Sequence, residues 1–127
     1  MAVVFHANCV AIDDMEDFWL VGFADDKFKA RDYLMLQRRF EDDEQDVALG
    51  MNTYHVERNG QEWSGYDGIL AFELKRDRAK VTFTKDGAAK MGKVTEMEIT
   101  FHVGDDEFSK LKDRVAKIFA GAKCLAD

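Results

Sequence analysis

Apolar and polar residues alternate from Val3 to Ile12, which predicts a strand, whereas Phe18 to Phe23 is apolar on both faces. The second pattern belongs to a strand that is central in a sheet or covered on both sides. Asp13, Asp14 and Met15 make the turn between them, and Asp25 to Arg31, mixed acidic and basic, reads as a connection. Tyr33 to Arg38 predicts the next strand, with Leu34 and Leu36 on one face and Tyr33 and Met35 on the other. Asn59-Gly60 then signals a hairpin, because a type I′ turn needs positive φ at both central positions and these residues tolerate it best. A two-residue loop sets Arg58 opposite Gln61, Glu57 opposite Glu62, Val56 opposite Trp63 and Tyr54 opposite Gly65. The facing Glu57 and Glu62 would repel modestly.

A second hairpin follows. Leu70, Phe72 and Leu74 point one way, Arg76 to Arg78 turn, and Val81 with Phe83 supplies the returning apolar face. Lys85 to Met91 predicts one or two helical turns that Gly87 weakens. Thr95, Met97, Ile99, Phe101 and Val103 alternate with more polar residues as a half-buried strand. Asp105 or Asp106 can cap a final helix that Gly121 stops. Within it Phe108, Leu111, Val115, Ile118 and Phe119 form one apolar stripe. These elements predict the α+β class: a mainly antiparallel β-sheet with the long C-terminal α-helix packed on one face. Residues 1–127 read as a single domain, without proline, internal repeat or low-complexity linker.

Composition narrows the function classes. A 46% hydrophobic fraction argues for a folded core, and 34% charged residues for a well-solvated exterior. The net charge of −7 would repel nucleic acid and favour encounter with a basic protein, although solubility alone explains it. The N-terminal stretch lacks a basic leader, and no segment approaches the ~18 apolar residues of a membrane span. Cys9 and Cys124 lie near opposite ends with no histidine cluster, so free thiols are expected and neither a metal nor a cofactor. His6, His55 and His102 are dispersed, and Ser64 lacks a nucleophile elbow. The acidic run from Glu41 to Asp46 is not the regular calcium loop and reads as a solvated segment. Lys75, Arg76, Arg78 and Lys80 flank a turn and could touch an anion, but they fall short of a nucleic-acid surface.

One stretch carries more. Tyr33, Leu34, Leu36, Gln37 and Arg38, then Asp43 to Asp46, Leu49 to Met51, and Ser64 to Tyr66 with Gly68 and Ile69 follow one another in order. In this the chain resembles the immunity protein 10 family, small bacterial proteins found beside polymorphic toxins. Its members tend to carry a YL-x-LQR-like strand, a DEQD-like turn, LGM and SGY-x-GI. The resemblance implies a non-enzymatic protein that neutralises a cognate toxin by direct binding in the cytoplasm, and a cationic nuclease would suit the charge. Extending it physically, Asp42, Asp43, Glu44 and Asp46 would assist encounter, and Trp63 and Tyr66 would supply close contacts. Two other classes stay open: a small hydrolase with carboxylates assembled by the fold, and a homodimer using a leftover sheet edge or apolar face.

Overall fold

The computed structural model describes residues 1–41, 47–48 and 53–125. At the N-terminus the chain turns a corner at Asn8, and the single expected strand is two. β1 (Ala2–Ala7) and β2 (Cys9–Asp14) belong to different sheets, and the Asn8 side chain donates to Asp25 O (2.9 Å) at the corner. β2 pairs antiparallel with β3 (Phe18–Ala24), followed in the same sheet by β4 (Tyr33–Arg39), β5 (His55–Arg58) and β6 (Ser64–Tyr66). The other sheet has the order β1-β9-β8-β7, from β7 (Ile69–Leu74), β8 (Arg78–Phe83) and β9 (Glu96–Phe101), with β1 and β9 parallel. The α+β class holds, with antiparallel pairing dominant, while the strands divide between two sheets.

Both sheets turn one face to a shared core. Val21, Phe23, Leu34, Leu36 and Val56 from one sheet and Val81, Met97, Ile99 and Phe101 from the other are buried, and the Phe23 and Phe101 rings lie 5.7 Å apart. The short helix expected from Lys85 forms over Lys85–Lys90 (α1), and the C-terminal helix over Asp105–Ile118 (α2) packs on the inner face of β2, β3 and β4. Leu111, Val115 and Ile118 are buried as the stripe predicts, whereas Phe108 is half-buried beneath the Arg76 guanidinium (5.0 Å). Phe119, just past the helix, meets Tyr54 (4.8 Å) and Phe72 (5.0 Å), joining the two sheets. The N-cap is Gly104 rather than either aspartate. Asp105 instead accepts from Arg76 (2.8 Å), leaving the acidic first turn to favour the helix dipole.

Arg114 anchors α2 to β2 through a two-point pair with Asp14, Nε to Oδ1 at 2.7 Å and Nη2 to Oδ2 at 2.8 Å. These hydrogen bonds hold the Asp14 carboxyl below its usual range. A depressed carboxylate pKa contributes stability above the unfolded value, and that contribution is lost as pH falls through the folded one. Asp14→Asn should therefore be less stable than the parent at pH 6, and urea melts of the two should converge near pH 2. A stability difference independent of pH would contradict this.

Two local departures have physical causes. A bulge between Ile69 and Ala71 breaks the alternation in β7, so Ile69 shares the core side with Phe72, and Leu70 is 62% exposed. In the hairpin, Asn59 and Gly60 have positive φ (55° and 145°), as the turn signal requires, but the loop has four residues. Val56 faces Gly65 and Glu57 faces Ser64. Glu57 and Glu62 are therefore not opposed, and Glu57 accepts instead from the Tyr33 hydroxyl (2.7 Å). The two-residue shift keeps the parity of the strand, so its inward and outward faces stay as the alternation assigns them.

Candidate functional site

β3 is an interior strand of its sheet, between β2 and β4, yet only one of its apolar faces is in the core. On the outer face Leu20 and Gly22, with Ala11 from β2 and Met35 from β4, are half-buried, and no described element packs over them. Together with Cys9, Ala24 and Tyr33 they line an apolar hollow of about 160 Å³. An apolar sheet face left open in this way is the usual form of a surface for another protein.

At the other end of this face stands Tyr66. Its ring meets the His55 imidazole edge-on (4.9 Å), over a small hollow of about 80 Å³ that Phe18, Gln37, Arg39 and Thr53 also line. His55 Nδ1 is buried without a hydrogen-bond partner, and burial holds the imidazole below the usual histidine range, so it is uncharged at neutral pH. Tyr33, farther along the face, has its phenol pushed up to about 12 by burial and by Glu57.

Trp63 lies on the opposite side of the hairpin. One ring face covers the Arg58 guanidinium (4.5 Å), and Gly92 approaches so closely that an added Cβ would lie 3.0 Å from the indole. Arg58 is 6% exposed, the one buried charged side chain among the described residues, and its Nε and Nη1 have no hydrogen-bond partner. Burial lowers its pKa, and Asp32 partly offsets this. Trp63 and Tyr66 thus face different sides and do not form one contact patch. Asp42, Asp43, Glu44 and Asp46, with the rest of the DEQD-like turn and the Leu49 to Met51 motif, lie outside the described residues. Their chain leaves β4 at Arg39 and returns at Thr53, both of which line the Tyr66 hollow.

Among the described residues no carboxylate is buried, and no group of three or more His, Cys, Asp or Glu residues is placed to hold a metal ion. Cys9 and Cys124 are free thiols, the latter buried beside the Tyr54 hydroxyl, which donates to Asp67 (2.8 Å). In the basic turn Arg76 pairs with Asp105, and Arg78 with Asp77 and Glu98. No described helix is long and apolar enough to cross a membrane.

Sequence reasoning singled out Tyr66, which lies on the outer face, but not Ala11, Leu20, Gly22 or Met35. The signal was present in the two-faced apolarity of Phe18 to Phe23, for which a cover on both sides was one expected reading. The comparisons add the family: residues 6–109 match Immunity protein 10. No curated protein and no solved structure matches the chain. With about four-fifths of its length inside that match, from the end of β1 into α2, the chain belongs to the Immunity protein 10 family.

Proposed function

We propose that this protein binds and neutralises a cognate bacterial toxin, acting in the cytoplasm as an inhibitor and not as an enzyme, and that the outer face of the β2–β6 sheet is its contact surface. The observation that carries this reading is the apolar floor of Ala11, Leu20, Gly22 and Met35, left uncovered on the outer side of β2, β3 and β4. Burying such a floor supplies the apolar core of an interface, and the surrounding polar groups supply its rim. Tyr66 adds an amphipathic ring at one end, beside Arg39 and Thr53, between which Asp42, Asp43, Glu44 and Asp46 lie in sequence. Trp63 takes a supporting part, since its stacking on Arg58 holds the hairpin that presents Tyr66.

The net charge of −7 favours a basic toxin, for which a nuclease is the natural class. Neutralising Asp42, Asp43, Glu44 and Asp46 together to their amides should slow association with the toxin domain encoded beside the gene, by about tenfold at low salt, and flatten its salt dependence. Dissociation should change little. Stopped-flow mixing at two ionic strengths measures both, and unaltered association with the same salt response would remove the acidic segment from the encounter. The same open face also fits a second copy of the chain, and light scattering of the isolated protein separates a dimer from a monomer.

A further inference from the structure

The connection between β3 and β4 carries its own capping groups. Asp26 Oδ1 accepts from Phe28 N (2.8 Å) and Lys29 N (2.9 Å), and these N–H groups hold its carboxyl below the usual range. Asp25 Oδ1 accepts from Arg31 N (2.9 Å), Asp25 N donates to Asp32 O (3.0 Å), and Asn8 ties Asp25 O to the corner between the sheets. The Asp25 and Asp26 carboxylates are thus engaged with the segment's own backbone, and Asp32 accepts from the Asn59 side chain (3.3 Å). Its tip offers Lys27, Phe28 and Lys29, with Arg31 behind.

Phe28 is 86% exposed, and Lys27 Nζ lies 5.6 Å from the centre of its ring. A lone exposed aliphatic residue needs no explanation, and Val4 and Leu70 are such cases. Phe28 differs in position. Ala24 and Tyr33, the residues from which its loop springs, both line the apolar hollow with Ala11, Leu20, Gly22 and Met35. The loop that carries the aromatic tip therefore springs from one end of the open sheet face.

We infer that Phe28 is the anchor with which this face holds its partner, entering an apolar socket on the toxin bordered by carboxylates that pair with Lys27, Lys29 and Arg31. The inference rests on the immunity reading above and assigns the residue and the partner chemistry within it. A capped loop loses little freedom on binding, and an aromatic ring has only two side-chain torsions to fix, so most of the apolar gain is kept. The tip also has the opposite sign to the molecule as a whole. Overall acidity draws in a basic partner, while a basic tip selects an acidic spot upon it, which sets the orientation of docking.

Surface plasmon resonance against the toxin domain encoded beside the gene tests this. Phe28→Ala should raise the dissociation rate about thirtyfold, as loss of a central anchor does, with the melting temperature unchanged because the ring packs on no core residue. Phe28→Trp should bind within about threefold of the parent, and Val4→Ser, on the other sheet, should bind as the parent does. Reversing Lys27 and Lys29 to glutamate takes the net charge from −7 to −11, since each reversal subtracts two. Steering by total charge would then speed association with a basic toxin, whereas the socket predicts about tenfold weaker binding.

Parent-like kinetics for Phe28→Ala would overturn the anchor and leave the immunity reading standing. Failure of the parent itself to bind or neutralise the toxin would overturn that reading, and the anchor with it. Conversion of a dimeric parent to a monomer by Phe28→Ala would assign the tip to a second copy of the chain and overturn the toxin socket.

Discussion

Gly87→Ala should cost about 3 kcal/mol of folding stability, at the upper end for an overpacked core site, although alanine is the better helix former by about 1 kcal/mol. Gly87 is buried in α1 (Lys85–Lys90), the short helix that packs against β6 and β8. A Cβ there would stand 2.1 Å from Gly68 O and 2.9 Å from Gly68 Cα. Both obstacles are backbone, so no rotamer change relieves them. Gly68 is itself fixed, with φ at +96° and its carbonyl accepting from Thr84 N (2.9 Å). Relief would require moving α1 away from the β6–β7 corner, which would uncover Ala88 and Met91. Urea unfolding should show a lower midpoint with an unchanged slope. A variant as stable as the parent would mean that the two glycines do not touch in solution.

The same contact explains part of the family-like motif. In Ser64-Gly65-Tyr66-Asp67-Gly68-Ile69, Gly65 lies under Lys90, whose Cδ would be 2.8 Å from an added Cβ, and Gly68 lies against Gly87. These glycines serve the close approach of α1, and within the motif Tyr66 is the residue that lies in the outer hollow. Gly87, read from propensity as a weakness in the helix, is there because a neighbouring backbone occupies the space of a side chain.

Alternation made the strands legible, since a period of two needs no knowledge of partners. Tyr33 to Arg38 and the strand around Ile99 appear as expected. Partner choice is a different matter. Asn8 interrupts nothing in the pattern of Val3 to Ile12, so the switch of sheets between β1 and β2 was invisible. Hairpin register failed for a related reason. Asn59 supplies its side chain to Tyr33 N (2.7 Å) and Asp32 (3.3 Å), and Arg58 N pairs with Trp63 O (2.9 Å). These tertiary and cross-loop bonds lengthen the turn to four residues. The open face was half legible: an apolar strand announces itself, but whether its second face is covered is decided by elements far away in sequence. Phe28 stood in a charged connection, where a lone aromatic is the clue.

Gly22→Arg examines the open face with least damage to the fold. Gly22 lies at the centre of that face without a left-handed backbone, and a Cβ there would meet only Ala11 Cβ at 3.7 Å and Leu20 Cδ2 at 4.0 Å. The arginine should therefore point to solvent and leave the melting temperature near that of the parent. In a complex it would bury a charge in an apolar interface and prop the two surfaces apart. Calorimetric titration of parent and Gly22→Arg with the toxin domain encoded beside the gene is the most direct test. Tight one-to-one binding by the parent and a loss of about a hundredfold or more in the folded variant is the expected result. Equal affinity of the two would contradict the assignment of this face to the toxin.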